Sequence, residues 1–233
     1  MLEDEREQVC HWARRTAADG LVVGRSGNLS VRSGDLLAVT PTGVNYDRLR
    51  PHDVPVVRLD GTPVDGDLMP TSELPMHLAA YAADRTRGAV VHTHAVHATA
   101  VSLLVDEVPP VHYVLGTLGD SVRVAPYATY GTAELADHMV AALADRHGCL
   151  LRNHGTVTTG TSLDEAYERT LQLEWACRVW LLARSAGEPT LLSTDQMREA
   201  TRRLSTYGQP APAGPANRPL TPAVTLAPPK EHP

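Results

Sequence analysis

Two histidines two positions apart, His92 and His94 in VVHTHA, are of a type and spacing that suit metal chemistry. In a strand, residues i and i+2 share a face, so both imidazoles can address one ion. Two ordinary polar residues at a strand end explain that pair equally well. A third histidine, His154 in LLRNHGTVTTG, follows an apolar run at a His-Gly turn, where a loop can present a ligand at a sheet edge. Three imidazoles suffice for a catalytic zinc ion, which keeps a coordination position open; structural zinc is usually closed by four ligands, often cysteines. His77, His97, His112 and His138 can also be proposed, and the sequence alone does not exclude a different trio. His97, on the helix expected after the strand, reads as a packing or supporting residue, and His138 as solvent-facing.

Glu73 follows Pro70, Thr71 and Ser72 at an expected helix start. A carboxylate there gains from the helix dipole, and the hydroxyls can cap the helix or bind an anion. The plain alternative is an N-terminal helix charge with no chemical task. Two further segments, Ser26 to Ser30 (SGNLS) and Thr40 to Gly43 (TPTG), combine hydroxyls with glycine. Such loops let backbone N–H groups approach a phosphate, although turn formation alone explains them as well.

The elements that must position these groups alternate. Residues 5–19 have helical spacing and stop at Gly20, and short β-like runs follow at 29–31, 36–40 and 54–59, separated by turn signals, which reads as antiparallel sheet. A helix over 73–85 precedes the β-branched strand AVVHTHA. Then come a helix over 95–104, an extended run at 122–125, a helix over 133–146, an extended run at 148–152 and a long helix over 162–185, with Ser162 and Glu165 as a capping box. The pattern predicts an α/β fold: a single domain over residues 1–208, with a central, largely antiparallel sheet flanked by helices. Residues 209–233 hold 8 of the 18 prolines and read as a disordered or loosely draped tail.

Composition narrows the function classes. A chain of 233 residues with 42% hydrophobic residues can bury a full core. Its net charge of −6, with scattered basic residues, argues against a general nucleic-acid surface but not against a local pocket for a small anion. No apolar run is long enough for a membrane span, the charged N-terminus lacks the pattern of a secretory signal, and three scattered cysteines suit a reducing cytoplasm. Cytoplasmic location and cysteines serving as core packing are the expectations.

Taken together, SGNLS, TPTG, PTSE, VVHTHAVHATAVS, HYVLG, APYATYGT and NHGTVTTG resemble the class II aldolase/adducin family in order and spacing, from about residue 5 to residue 207. The resemblance implies that His92, His94 and His154 bind one Zn2+ per subunit, and that Glu73 is a catalytic carboxylate able to approach the metal. It implies a phosphate cradle of Asn28, Thr42, Gly43, Thr71 and Ser72, with Ser26 adding a hydroxyl; Thr71 stands where serine is common in the family. Tyr113 matches a tyrosine delivered from a neighbouring subunit as proton donor or acceptor, so the expected assembly is a homotetramer with its site at the subunit interface. Tyr130 and Tyr207 fall where aromatic residues would enclose the aldehyde end.

The reaction so implied is zinc-dependent, reversible cleavage of a ketose 1-phosphate to dihydroxyacetone phosphate and a small aldehyde, with no organic cofactor. Alternatives on the same fold are a pentulose-phosphate 4-epimerase and a methylthioribulose-1-phosphate dehydratase; an adducin-like binding module is a non-enzymatic third. The HYVLG segment favours an aldolase. The aldehyde half stays open, because methyl, hydroxymethyl and thioether ends differ by contacts worth only about 1 to 3 kcal/mol.

Overall fold

The computed structural model describes residues 1–204 and 206; the expected tail and Tyr207 lie outside the described residues. In chain order the elements are α1 (Glu3–Ala18), β1 (Asn28–Ser33), β2 (Leu36–Val39), β3 (Val56–Arg58), β4 (Pro63–Asp65), α2 (Leu74–Ala83), β5 (Ala89–Thr93) and α3 (Val96–Ser102). After these come β6 (Glu107–Val108), β7 (Val122–Ala125), α4 (Ala133–Ala142), β8 (Gly148–Leu151), β9 (Gly155–Gly160), α5 (Leu163–Ala186) and α6 (Thr194–Leu204).

The strands form one sheet in the order β4-β3-β2-β1-β5-β9-β8-β7-β6. Every pair is antiparallel except β7 with β8. Strand alternation sends successive side chains to opposite faces. Leu29, Val31, Ala89 and Val91 join Val9 and Ala13 of α1 and Leu163 and Ala166 of α5 in one apolar cluster. Val90 turns the other way, to Met76, Ala80 and Tyr81 of α2 and Leu135 and Met139 of α4. This is the expected α/β architecture, with helices on both faces.

Several boundaries and elements differ from the sequence reading. The helix expected to run to Arg146 ends at Ala142; the buried Arg87 guanidinium takes the Leu143 carbonyl at 3.2 Å just beyond it. The capping box of α5 is half formed. Ser162 accepts from the Glu165 N–H at 3.2 Å, but the Glu165 carboxylate turns back to the N–H and hydroxyl of Thr161. Strand β9 and helix α6 were not expected. The sequence reading assigns no element to residues 155–160; in the strand, Gly155 is needed for close approach, since a Cβ there would strike the Thr93 carbonyl of β5. The three cysteines are buried and free, as expected of core residues, and no helix among the described residues is long and apolar enough to cross a membrane.

Candidate active site

Three adjacent central strands position the histidines. His92 lies near the end of β5, paired with Asn28 of β1 on one side and Val157 of β9 on the other. His94 follows one residue beyond β5, and His154 sits in the short turn from β8 into β9. Asn153 reverses the chain there at φ 58°, a left-handed conformation that asparagine tolerates well. The three ring centroids are 4.8–5.0 Å apart, and the His92 and His94 Nε2 atoms are 3.2 Å apart.

Glu73 closes the group from the opposite side. It is the N-cap of α2, but its carboxylate makes no capping bond to the helix; it points at the histidines instead. Its Oε2 lies 3.1 Å from His92 Nε2, and its Oε1 lies 3.3 Å from His154 Nε2. One ligating atom from each of Glu73, His92, His94 and His154 falls within 4.8 Å of the others. The sequence-predicted trio is therefore brought together with Glu73. His97 is turned away from it, onto Glu174 at 2.6 Å, and His138 is half-buried with its Nδ1 3.3 Å from the Pro126 carbonyl.

The electrostatics of the cluster suit a cation. His92 Nδ1 lies 2.8 Å from the Thr156 carbonyl, which can only accept, so Nδ1 carries a proton and Nε2 faces the centre; burial opposes a second proton there, but the Glu73 carboxylate outweighs it and raises this ring above its usual value. Burial and the neighbouring His92 push His94 and His154 down to about 4, so both are neutral ligands at neutral pH. Burial opposes ionisation of Glu73, but His92, His154 and the Asn28 hydrogen bond outweigh it and hold the carboxyl well below its usual range. Glu73 Oε1 is buried without a hydrogen-bond donor. Three imidazole nitrogens and a carboxylate converging at this spacing are a fitting donor set for a divalent ion, which would take the place of a proton on His92 Nε2.

A cavity of about 360 Å³ opens over this cluster. Ser26, Asn28, Thr42, Gly43, Thr71 and Ser72 all line it. The loops carrying them are laced together by Thr42 N–H to the Met69 carbonyl and Thr71 N–H to the Thr40 carbonyl, both 3.0 Å. Those two backbone donors are thus engaged, whereas the N–H groups of Gly43 and Ser72 have no acceptor among the described residues. The Ser26 hydroxyl is tied to its own turn through Val23. Asn28 is occupied more deeply: its amide nitrogen donates to Glu73 at 2.9 Å and its oxygen lies 2.6 Å from His77 Nε2.

Tyr113 does not line the cavity of its own chain. It is 47% exposed at the start of a 3-10 turn, Tyr113–Thr117, and is packed on His112 with ring centroids 4.2 Å apart. Tyr130 does line the cavity, together with Arg25, Tyr127 and Asn153, three residues that the sequence reading did not single out. Tyr127 belongs to the APYATYGT segment. Arg25 directly precedes the SGN turn, and its charge beside a candidate anion loop was the available signal.

A family model described as Class II Aldolase and Adducin N-terminal domain matches residues 7–181, and the chain belongs to that family. It is an enzyme of the metal-dependent class II aldolase type, and three of the proteins it resembles sharpen that placement. It is 35% identical over 211 residues to 5-deoxy-D-ribulose 1-phosphate aldolase of Bacillus thuringiensis serovar kurstaki, covering 90% of this chain and 99% of that one. It is 37% identical over 191 residues to L-fuculose phosphate aldolase of Escherichia coli K12, covering 81% and 88% respectively. Among solved structures, an L-fuculose 1-phosphate aldolase superposes with a TM-score of 0.84 at 32% identity, over 87% of this chain and 96% of that one.

Proposed function

We propose that the protein is a zinc-dependent aldolase that reversibly cleaves a ketose 1-phosphate, L-fuculose 1-phosphate or a 5-deoxyketose 1-phosphate such as 5-deoxyribulose 1-phosphate, to dihydroxyacetone phosphate and a small aldehyde. The observation that carries this reading is the buried Glu73 carboxylate facing three imidazoles beneath a cavity rimmed by hydroxyls, open backbone donors and one arginine. Its relatives include enzymes named for both sugar phosphates.

The residues divide the work by position. Gly43 and Ser72 offer free backbone N–H groups to the phosphate, and the hydroxyls of Thr42, Thr71 and Ser72 complete the cradle. Arg25 holds two of these loops together by donating from Nη1 to the Gly43 carbonyl at 2.9 Å, and its remaining donors are left for the dianion. A zinc ion held by His92, His94 and His154 supplies Lewis acidity to the substrate carbonyl when bound. In the synthetic direction the ionised Glu73 removes a proton from C3 of dihydroxyacetone phosphate. C3 then bonds to the aldehyde carbon, and Tyr113 of a neighbouring subunit gives its phenolic proton to the oxygen that becomes the C4 hydroxyl. Cleavage is the same sequence reversed.

A role for Tyr113 across an interface requires self-association, and a homotetramer is the assembly this reading expects. Its supports are the exposure of Tyr113 and Trp175, together with Val96, Leu103 and Leu104 on and beside α3, and the absence of Tyr113 from its own cavity. The three reduced, buried cysteines fit a cytoplasmic enzyme.

Product analysis with a panel of ketose 1-phosphates tests the reading. Dihydroxyacetone phosphate plus one aldehyde is expected. An inverted pentulose phosphate, or loss of water with the carbon chain intact, would replace the aldolase with the epimerase or the dehydratase.

A further inference from the structure

Beneath Glu73 the structure holds a run of buried polar side chains, of which only Asn28 borders the cavity. Asn28, Ser30, His77 and Tyr81 are all less than 5% exposed. They interleave from two elements: His77 and Tyr81 are four residues apart on α2, and Asn28 and Ser30 two residues apart on β1. A helix advances about 6 Å over four residues, and a strand about 6.6 Å over two. The two rows therefore mesh step for step, with Glu73 one further helical step beyond His77.

Each contact has a forced or preferred direction. Asn28 Nδ2 donates to Glu73 Oε2 at 2.9 Å, because an ionised carboxylate only accepts. That leaves Asn28 Oδ1 toward His77 Nε2 at 2.6 Å, so the ring must carry its proton on Nε2. Burial pushes His77 down to about 3, which keeps it neutral, so its Nδ1 is an acceptor and takes the Ser30 hydroxyl hydrogen at 2.7 Å. Tyr81 in turn donates to Ser30, with its hydroxyl 2.9 Å from Oγ and 3.1 Å from the carbonyl. From Ser30 to Glu73 every hydrogen points toward the carboxylate.

We infer that His77 is a positioning residue for Glu73, acting through Asn28: the His77 Nε2–H fixes which end of the Asn28 amide meets the carboxylate. Without it the amide can turn and present its oxygen to Glu73, replacing an attraction with a repulsion in a site of low dielectric. The Asn28 side chain then belongs first to the carboxylate, and only its second amide hydrogen remains for a phosphate. This proposal rests on the reading of Glu73 as the base.

The test uses the zinc-loaded full chain and two variants, His77→Phe, which deletes the donor, and His77→Gln, whose amide N–H can replace it. In the parent, 15N NMR of the histidines is expected to show one neutral Nε2–H ring with an accepting Nδ1 that does not titrate between pH 5 and 8. His77→Phe is expected to lose 10- to 100-fold in kcat, the usual size of such a supporting contact, with KM within about twofold by the same reasoning and zinc per chain unchanged. His77→Gln is expected to recover most of that loss. An Nδ1–H or charged His77 in the parent, parental kcat in His77→Phe, or joint loss of zinc and activity in both variants would overturn the proposal. If the parent cleaves no ketose 1-phosphate, the aldolase reading falls, while the NMR pattern still decides the hydrogen-bond direction.

Discussion

Glu73 Oε1 stands 3.3 Å from His154 Nε2 and receives no hydrogen bond, although it is buried. The partner oxygen, Oε2, is held by Asn28. Both oxygens face the histidines, Oε2 toward His92 at 3.1 Å, but only Oε2 is also fixed by a donor, while Oε1 is left without one. That asymmetry suits a base whose second oxygen must reach a substrate proton.

Glu73→Gln separates the base from the metal site. The amide keeps the shape but accepts no proton, so deuterium exchange at C3 of dihydroxyacetone phosphate should fall by about 10²- to 10⁴-fold, the range of a lost general base. Zinc content should stay at the parental level, because His92, His94 and His154 remain. Exchange at the parental rate would remove Glu73 from this role.

Arg25→Ala tests the phosphate end. A hydrogen bond to a charged group is worth about 1.5 to 3 kcal/mol, so KM for a ketose 1-phosphate should rise about 10- to 100-fold, by the conversion of about 1.4 kcal/mol per decade. Inhibition by inorganic phosphate should weaken in parallel, with zinc retained. Unchanged phosphate inhibition would assign Arg25 to loop support alone, through its bond to Gly43.

Much of this site is legible in the sequence, for physical reasons that differ by residue. His92 and His94 are readable because strand period puts them on one side of β5, and His154 because an apolar run ends just before it. Strand β9 is readable only in part: Thr156 to Thr159 is a β-branched run bounded by glycines, while the need for Gly155 itself arises only from the close pass of Thr93. Asn28 looks like a loop donor in SGNLS, and only its pairing with His92 in the sheet and the arrival of α2 turn its amide to Glu73. The four-residue steps of Glu73, His77 and Tyr81 are visible as helix spacing, but their polar partners on β1 come from a tertiary contact.

Acid should weaken the fold through His77. Its folded value, lowered by burial to about 3, lies below the roughly 6.5 of an unfolded histidine. Between those values the unfolded chain binds the extra proton, so stability rises with pH and is lost progressively as pH falls below 6.5. At pH 5 the cost from this group is about 2 kcal/mol at 1.36 kcal/mol per unit. Urea unfolding at pH 5 and pH 7 should show it, and the difference should shrink in His77→Gln. An identical pH dependence in the variant would contradict the burial of a neutral ring.

The central claim is that a zinc ion held by His92, His94 and His154 serves a carbon–carbon cleavage. The most direct measurement is release of dihydroxyacetone phosphate from L-fuculose 1-phosphate and 5-deoxyribulose 1-phosphate by protein stripped with a chelator and titrated with zinc. The account predicts no release from the stripped protein, and activity that rises with added zinc and levels off at one equivalent per chain. Full release by stripped protein, or zinc bound at one equivalent with no triose phosphate from either sugar, would contradict it.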